Sequence, residues 1–266
     1  MEKIAVYPAP SPILELQPLW CQGNPVKTHF FNALSTMFPQ GEWYCIWSIK
    51  NYEKLAPHEP LKSNIQEFYA QEKNHAAIHK SFNRALAKLG YAVDPMVKKF
   101  DAKVARRRKK LSHLMSLAYT TALEHIAAVL SEANLRHETM FEGVEPSIKR
   151  IWIWHAIEEV SHKSLAMEMF ALAGGKYWQR SLAMILVSLD FWWELIRRMF
   201  LLLAADGLLS KPKVWGQIFL LFLGKNGITH LTAWGLLKFM LPNFNPDHSD
   251  ARALTRLGEL ALQQVD

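Results

Sequence analysis

The chain has 266 residues, of which 50% are hydrophobic and 21% charged, so it is long enough to bury a substantial apolar core and is not a disordered or low-complexity protein. Its formal charge of +7 favours anionic partners, but the densest basic cluster, residues 103–110, contains no interleaved aromatic residues and no recognisable nucleic-acid motif. We interpret the cluster as a solvated helix end, with an anionic partner, lipid or nucleic acid, as the alternative, and we expect no nucleic-acid partner.

The N-terminal segment, residues 1–24, contains scattered prolines and acidic residues and lacks an uninterrupted apolar stretch. It does not resemble a secretory signal, so we expect a cytoplasmic protein with an N-terminal extension over residues 1–24. Membrane association stays open. Cys21 and Cys45 lie in no CxxC or similar spacing, which favours buried free thiols over a disulfide framework or a zinc site.

Apolar residues recur at i, i+3, i+4 and i+7 in long stretches, and strand signals are nearly absent, so the fold class is predicted to be all-α. The first predicted helix covers residues 42–55, after a break at Pro39 and Gly41, and has Glu42 in its first turn. The next three cover residues 61–89, 94–134 and 145–175. We expect these helices to form a four-helix bundle over residues 25–175.

The last third, residues 176–266, is a different kind of sequence, with apolar, tryptophan-rich helices that are interrupted by glycine and proline. Its charge-free runs are shorter than the roughly 20 residues needed to cross a membrane. We expect a helical cover packed on the same domain or a homodimer interface, with peripheral membrane contact as the alternative. On that expectation the large aromatic residues are covered, namely Trp178, Phe191, Trp192, Trp193, Phe200 and Trp215.

The predicted bundle contains the same arrangement of glutamate and histidine twice. In each half, a glutamate on one helix is followed on the next helix by a glutamate and a histidine three residues apart, which share one helix face because each residue turns the helix by about 100°. The six residues are Glu42, Glu72, His75, Glu124, Glu159 and His162. Four carboxylates and two imidazoles on four helices are the donor set of a carboxylate-bridged di-metal site.

The competing interpretation is that these residues form ordinary solvated pairs on helix surfaces. Glu124 and Glu159 lie within apolar stretches, where an unpaired carboxylate would be buried at a large cost in free energy. Metal binding removes that cost, so the pattern favours a metal site.

Four segments, FPQGEWYCIW, QEKNHAAIHKSFN, TALEHIAA and WHAIEEVSHK, resemble those of the ferritin-like di-iron proteins, and more narrowly of a bacterial group labelled predicted metal-dependent hydrolases. The doubled pattern is also similar to that of di-iron oxygenases of the para-aminobenzoate N-oxygenase type. The resemblance covers about residues 25–175. It implies a ferritin-like four-helix bundle with additional apolar C-terminal helices, and two metal ions as cofactors, iron first and manganese as the alternative.

The oxygenase-type resemblance implies a further ligand. A histidine four residues before the last glutamate binds metal in that type, and His155 stands four before Glu159 and seven before His162, on the same helix face. The alternative is a core histidine beside Trp152 and Trp154.

In such bundles an acidic residue commonly precedes the glutamate of each pair and hydrogen-bonds a ligand histidine. Glu158 retains this acid in one half, whereas Gln71 replaces it in the other, which implies asymmetric support of the two metals. His79 shares the face of the first pair, and we expect it to support a ligand rather than bind metal. His125 points away from the predicted site and is interpreted as structural.

The leading functional hypothesis is a di-iron oxygenase or oxidase that acts on a small apolar or aromatic substrate and uses dioxygen and an electron donor. The second hypothesis is a two-metal-ion hydrolase, in which the ions activate water and polarise a substrate oxygen. The third is a non-catalytic metal-binding protein. No feature of the sequence separates the first two, because both use the same donor atoms.

Overall fold

The protein is described by a computed structural model over residues 4–13, 15–57, 59–137, 140–246 and 251–263, with the backbone alone at 251 and 252. The regular secondary structure of these residues is entirely helical, which confirms the predicted all-α class. The predicted N-terminal and C-terminal regions each include residues outside these ranges. The helices are α1 (Pro25–Ser35), α2 (Phe38–Lys50), α3 (Leu61–Lys88), α4 (Val93–Lys110), α5 (His113–Arg136), α6 (Pro146–Leu172), α7 (Tyr177–Ala205), α8 (Pro212–Leu223), α9 (Ile228–Phe239) and α10 (Ala251–Gln263).

Helix α2 begins earlier than the sequence predicts. Pro39 lies in its first turn, where a missing N–H costs nothing because the first N–H groups of a helix have no partner within it. The helix therefore starts at Phe38, before the proline, and Glu42 falls in the second turn. The predicted first-turn position of Glu42 was wrong, and the helix also ends earlier, at Lys50.

The single helix predicted over residues 94–134 is two helices, α4 and α5. Ser112 has an extended backbone, with φ −61° and ψ 159°, and its side chain accepts a hydrogen bond from the backbone N–H of Met115. This is an N-cap, which starts a new helix. The last turn of α4 contains four consecutive cations, Arg107 to Lys110, which the negative end of the helix dipole stabilises.

Helices α2, α3, α5 and α6 carry the predicted site, and they pack around a common core. The most extensive helix contacts are those of α5 with α6, followed by those of α2 with α3. Two buried hydroxyl groups join elements of this bundle: Ser48 Oγ donates to Thr120 Oγ1 at 2.7 Å, and Thr121 Oγ1 lies 3.2 Å from the carbonyl oxygen of Ala166. The packing brings faces of all four helices to one interior region.

Helix α7 packs along α5 and α1 through one of its faces. Phe191 is buried and Trp192 and Phe200 are partly buried. Trp178, Trp193 and Trp215, however, are 56%, 66% and 50% exposed. A single chain therefore does not cover all of these aromatic residues, because each C-terminal helix turns only one face to the bundle. Their cover by a second subunit stays a prediction.

Helix α5 is the one helix of the described residues that is long and apolar enough to cross a membrane. Its apolar stretch is 72% buried inside the protein, as expected of the central helix of a bundle. Within the described part of the C-terminal region, no helix meets the length and composition needed for crossing.

Candidate metal centre

The seven predicted metal ligands are all buried at the centre of the bundle. Their positions are Glu42 on α2, Glu72 and His75 on α3, Glu124 on α5, and His155, Glu159 and His162 on α6. Helix α6 contributes three of them because residues at i, i+4 and i+7 lie on one face. The four helices thus direct side chains from opposite sides into one polar region inside an apolar core.

The first group of donor atoms spans α3 and α6. Glu72, His75, Glu159 and His162 each offer one atom within 4.8 Å of the others, which is close enough to surround one metal ion. Nδ1 of His75 lies 3.3 Å from Oε1 of Glu159, and Nδ1 of His162 lies 3.6 Å from the same oxygen. These residues are the two Glu-x-x-His pairs that the sequence singles out.

A second group adds α2 and includes His155. Glu42, His75, His155 and Glu159 also offer donor atoms within 4.8 Å of one another. Nε2 of His155 lies 3.1 Å from Oε1 of Glu159 and 3.9 Å from Oε1 of Glu42. Because His75 and Glu159 belong to both groups, the two sets of donors are contiguous.

Glu124 falls outside both groups but lies beside the first. Its Oε2 is 3.7 Å from Nδ1 of His162, and its side chain is buried. The thiol of Cys45 is its neighbour on α2, and burial raises the pKa of this thiol well above its ordinary value, with the charges of nearby carboxylates adding to the effect. Cys21 and Cys45 are both buried free thiols, as the sequence predicts.

Several buried atoms of the cluster have no hydrogen-bond partner, and this is the test of whether the residues fit a metal. Among the described residues, both carboxylate oxygens of Glu72 and Nδ1 of His75 and His162 have no partner. Nδ1 of His162 lies 2.7 Å from Oε1 of Glu72, but the two are not aligned as a hydrogen bond. Unpaired polar atoms at such depth cost free energy, whereas as donors to cations they would all be satisfied. The residues therefore fit a metal.

The two pair histidines are oriented from the opposite helix. Nε2 of His75 donates to Oε2 of Glu158 at 2.8 Å, and Nε2 of His162 donates to Oε1 of Gln71 at 2.8 Å. The amide nitrogen of Gln71 donates to the carbonyl oxygen of Ala5 at 2.8 Å, so its amide oxygen is the acceptor. Each ring thus uses its outer nitrogen for support and turns Nδ1 towards the cluster.

The protonation state of His155 follows from a chain of hydrogen bonds. The amide nitrogen of Asn83 donates to the carbonyl oxygen of Ser35, so its Oδ1 accepts from Ser35 Oγ. Ser35 Oγ in turn accepts from His79 Nδ1, which leaves Nε2 of His79 to accept from His155 Nδ1 at 2.8 Å. Nε2 of His155 then carries no proton, so two acceptors, this nitrogen and Oε1 of Glu159, face each other. A cation between them would relieve this opposition.

Two other histidines were assigned from the sequence without a metal-binding role. His79 belongs to neither donor group but contacts His155, a member of the second. Burial lowers the pKa of His79 well below the ordinary value, and the nearby imidazoles add to the effect. His125 points to the opposite side of α5, where its Nε2 donates to the carbonyl oxygen of Gly235 at 2.9 Å.

The electrostatics of the cluster also favour cations. Burial raises the pKa of Glu42 and of Glu72 well above the ordinary value, and the neighbouring carboxylates raise it further. Burial lowers the pKa of His75, but the hydrogen bond to Glu158 and the nearby charges of Glu158 and Glu159 outweigh that effect and raise it to about 9. Acidic groups that are forced together in this way repel one another, and bound divalent ions would offset the repulsion.

An apolar cavity of about 100 Å³ reaches the cluster from the side of α4 and α7. Its inner end is lined by Glu42, Glu124, His155 and Glu159, and its walls are mostly apolar. Sequence analysis missed the outer end, which is formed by Arg107, Tyr119 and Asp190. Arg107 belongs to the basic cluster that the sequence shows. Its position at the cavity depends on contacts between residues distant in sequence, which no local pattern predicts.

Comparison with known proteins assigns the chain to a family. A family model described as "Predicted metal-dependent hydrolase" matches residues 12–250. No curated protein and no solved structure gives a significant match. The match covers the four helices of the site together with most of the C-terminal region.

Proposed function

The chain belongs to the predicted metal-dependent hydrolase family, and from that premise we propose that it is a two-metal-ion enzyme that hydrolyses a small, largely apolar substrate. One observation carries the proposal. The unpaired donor atoms of Glu72, His75 and His162 converge in a buried cluster, and an apolar cavity reaches the same cluster from outside. Buried donors beside a cavity favour a metal that meets a substrate over a metal that only stabilises the fold.

Two adjacent ions account for all seven predicted ligands. One ion would be held by the group that contains Glu42 and His155, and the other by the group that contains Glu72 and His162, with Glu124 beside it. Glu159 and His75 belong to both groups, but only the carboxylate of Glu159 has two oxygen atoms that could serve both ions. When bound, the ions would supply Lewis acidity to a substrate oxygen and lower the pKa of a water molecule.

The chain's own residues prepare the site for this reaction. Glu158 and Gln71 hold the rings of His75 and His162 by their Nε2 atoms, so that little reorganisation is needed on metal binding. Phe38 packs against the ring of His155, with ring centroids 4.7 Å apart, and helps to exclude water from the inner cavity. The apolar walls bind the apolar part of a substrate beside the carboxylates that line the inner end.

The first test compares hydrolysis with dioxygen consumption in the same protein. Purified protein is loaded with ferrous iron, manganese or zinc under anaerobic conditions, and release of p-nitrophenol from p-nitrophenyl decanoate is measured. We expect metal-dependent hydrolysis that His75→Ala and Glu159→Ala abolish and that Glu168→Ala, a control on the same helix as Glu159, leaves intact.

Dioxygen consumption is then measured with an electrode after air is admitted to the ferrous protein. Hydrolysis without dioxygen consumption supports the proposed function. Dioxygen consumption without hydrolysis contradicts it and supports an oxygenase or oxidase. Metal binding with neither activity, across a panel of ester, amide and phosphoester substrates, would indicate a non-catalytic metal-binding protein.

A specific observation favours the oxygenase or oxidase as the second candidate. The donors of the cluster are hard carboxylates and imidazoles, which suit iron or manganese rather than metals that prefer thiolates. The apolar walls of the cavity would also keep water away from reactive species, as oxygen chemistry requires. In this alternative the protein would need dioxygen and an electron donor, and the substrate would be apolar or aromatic.

A further inference from the structure

A second, more open pocket of about 490 Å³ adjoins the inner cavity. It is lined by residues of α4, α5 and α7, together with Leu111 between α4 and α5. Arg107, Tyr119 and Asp190 line both the inner cavity and this outer pocket. These three residues therefore form the wall between the outer pocket and the cavity that reaches the cluster.

The wall is held together by side chains that can separate without breaking a helix. The guanidinium of Arg107 forms an ion pair with Asp190, and it stacks over the ring of Tyr119, 4.4 Å from the centroid. Lys103 also pairs with Asp190. A second anion that reached Arg107 would compete with Asp190, which would keep Lys103 as its partner.

The outer pocket combines positive charge with exposed apolar surface. Arg107 and Lys110 supply two cations on its α4 side. Leu189 and Trp193 on α7 are 68% and 66% exposed and form an apolar rim. A molecule that suits both features has an apolar chain and one anionic group.

We propose that Arg107, Tyr119 and Asp190 form the substrate entrance of the metal centre, and that the substrate is an amphipathic carboxylate whose anionic group binds Arg107 while its apolar chain occupies the inner cavity. Arg107 is suited to this role because its planar guanidinium binds a carboxylate through two hydrogen bonds. The assignment of the bound molecule as a substrate rests on the proposed function, whereas its binding does not.

The test measures binding by isothermal titration calorimetry with two probes of equal chain length, decanoate and decan-1-ol. We expect the wild-type protein to bind decanoate roughly tenfold or more tightly than the alcohol, since one charge-assisted pair contributes about that much. Arg107→Gln should lose the preference. Arg106→Gln removes the same charge at an exposed neighbouring position and should keep it.

Asp190→Asn provides a test in the opposite direction. It removes the anion that competes for Arg107 and leaves the guanidinium in place, so decanoate should bind several-fold more tightly than to the wild type. If Arg107→Gln does not fold, as judged by circular dichroism, the Asp190→Asn result decides alone. Equal binding of both probes to the wild type, a preference that survives Arg107→Gln, or weaker binding to Asp190→Asn would overturn the proposal.

Gly41 allows the inner cavity to be tested separately. It lines the cavity, and a methyl group built on it meets no atom within 4 Å outside its neighbours and its own helix backbone, so a larger side chain can be added without a clash at its first carbon. Gly41→Leu should weaken binding of decanoate and decan-1-ol alike. Unchanged binding would show that the ligand stays in the outer pocket, and would overturn the proposal that the three residues form an entrance. Decanoate binding that persists in a protein without hydrolytic activity would contradict the proposed function alone.

Discussion

Nδ1 of His155 donates a hydrogen bond to Nε2 of His79, 2.8 Å away on a different helix. Because His79 is itself fixed by Ser35, this contact sets the position of the only ring proton on His155. The unprotonated Nε2 then faces the carboxylates of Glu42 and Glu159. His155 is thus held in the tautomer that a metal ligand needs. It is the seventh ligand, which the oxygenase-type resemblance implies in addition to the six of the repeated pattern.

The first prediction concerns metal stoichiometry. The two donor groups and Glu124 supply ligands for two ions, so fully reconstituted protein should contain about two metal ions per chain by mass spectrometry of the acid-digested sample. Glu159→Ala removes the one carboxylate that belongs to both groups and should lower the content of both ions. Glu168→Ala on the same helix should leave it unchanged, and a limit of one ion per chain in the wild type would refute the two-metal model.

The second prediction concerns His155. If Nε2 of His155 binds metal, His155→Ala should lower metal affinity by at least about 10- to 100-fold, as measured by competition with a chromophoric chelator. His230→Ala, an exposed histidine on α9, is the control for the loss of an imidazole. Equal metal affinities for the two variants would show that His155 is a structural residue of the core and not a metal ligand.

The third prediction concerns the asymmetric support of the pair histidines. Glu158→Gln keeps the size of the side chain but weakens the acceptor for the ring N–H of His75. We expect metal affinity to fall by about 10- to 100-fold at one of the two sites, with biphasic metal release to the chelator. Glu168→Gln is the matched control. Monophasic release at the wild-type rate would show that the carboxylate does not tune the site.

The sequence predicts the all-α class and the repeated glutamate and histidine pattern, because helical periodicity and three-residue spacing are local properties. It does not reveal the break at Ser112, since an apolar pattern continues on both sides and the N-cap depends on one extended backbone position. The pairing of Arg107 with Asp190 joins residues from α4 and α7, and no local pattern specifies it. Exposure of Trp193 likewise depends on which face of α7 meets the bundle.

The fourth prediction concerns Arg198, which is fully buried on α7. Its guanidinium donates to the carbonyl oxygen and Oγ1 of Thr36, at 3.2 and 2.7 Å, and to the carbonyl oxygen of Met96 at 3.2 Å. These bonds join α7 to the end of α1 and to α4. Arg198→Leu would remove these three buried hydrogen bonds and one partner of Glu194, so we expect it to lower the free energy of unfolding by about 3–5 kcal/mol.

Arg198→Lys distinguishes charge from geometry. A lysine keeps the positive charge but cannot reach both Thr36 and Met96 from one planar group. We expect it to recover less than half of the lost stability in urea unfolding of the metal-free protein. Full recovery would show that the charge alone matters and that the bonds to the two carbonyl groups contribute little.

The fifth prediction concerns the pH dependence that Glu194 gives to stability. Burial raises the pKa of this carboxyl group, but hydrogen bonds and charges from Arg197 and Lys103 outweigh burial and lower it from 4.5 to about 2. A carboxyl group whose pKa falls on folding stabilises the folded state above its unfolded pKa, and that contribution is lost as the pH falls from 4.5 towards 2. Lys103 and Arg197 are partly exposed, so water screens their ion pairs with Glu194. We therefore expect Glu194 to contribute about 1–2 kcal/mol to the free energy of unfolding at neutral pH.

Glu194→Gln should therefore be less stable than the wild type at neutral pH, and the difference in unfolding free energy should shrink steadily as the pH is lowered from about 5 to about 3. Urea unfolding at several pH values, followed by circular dichroism, measures this difference directly. Glu15→Gln removes an exposed carboxylate and controls for the general effect of one negative charge. A difference that stays constant over this range would mean that Glu194 stabilises the fold through packing, because only a charged carboxylate loses its contribution on protonation.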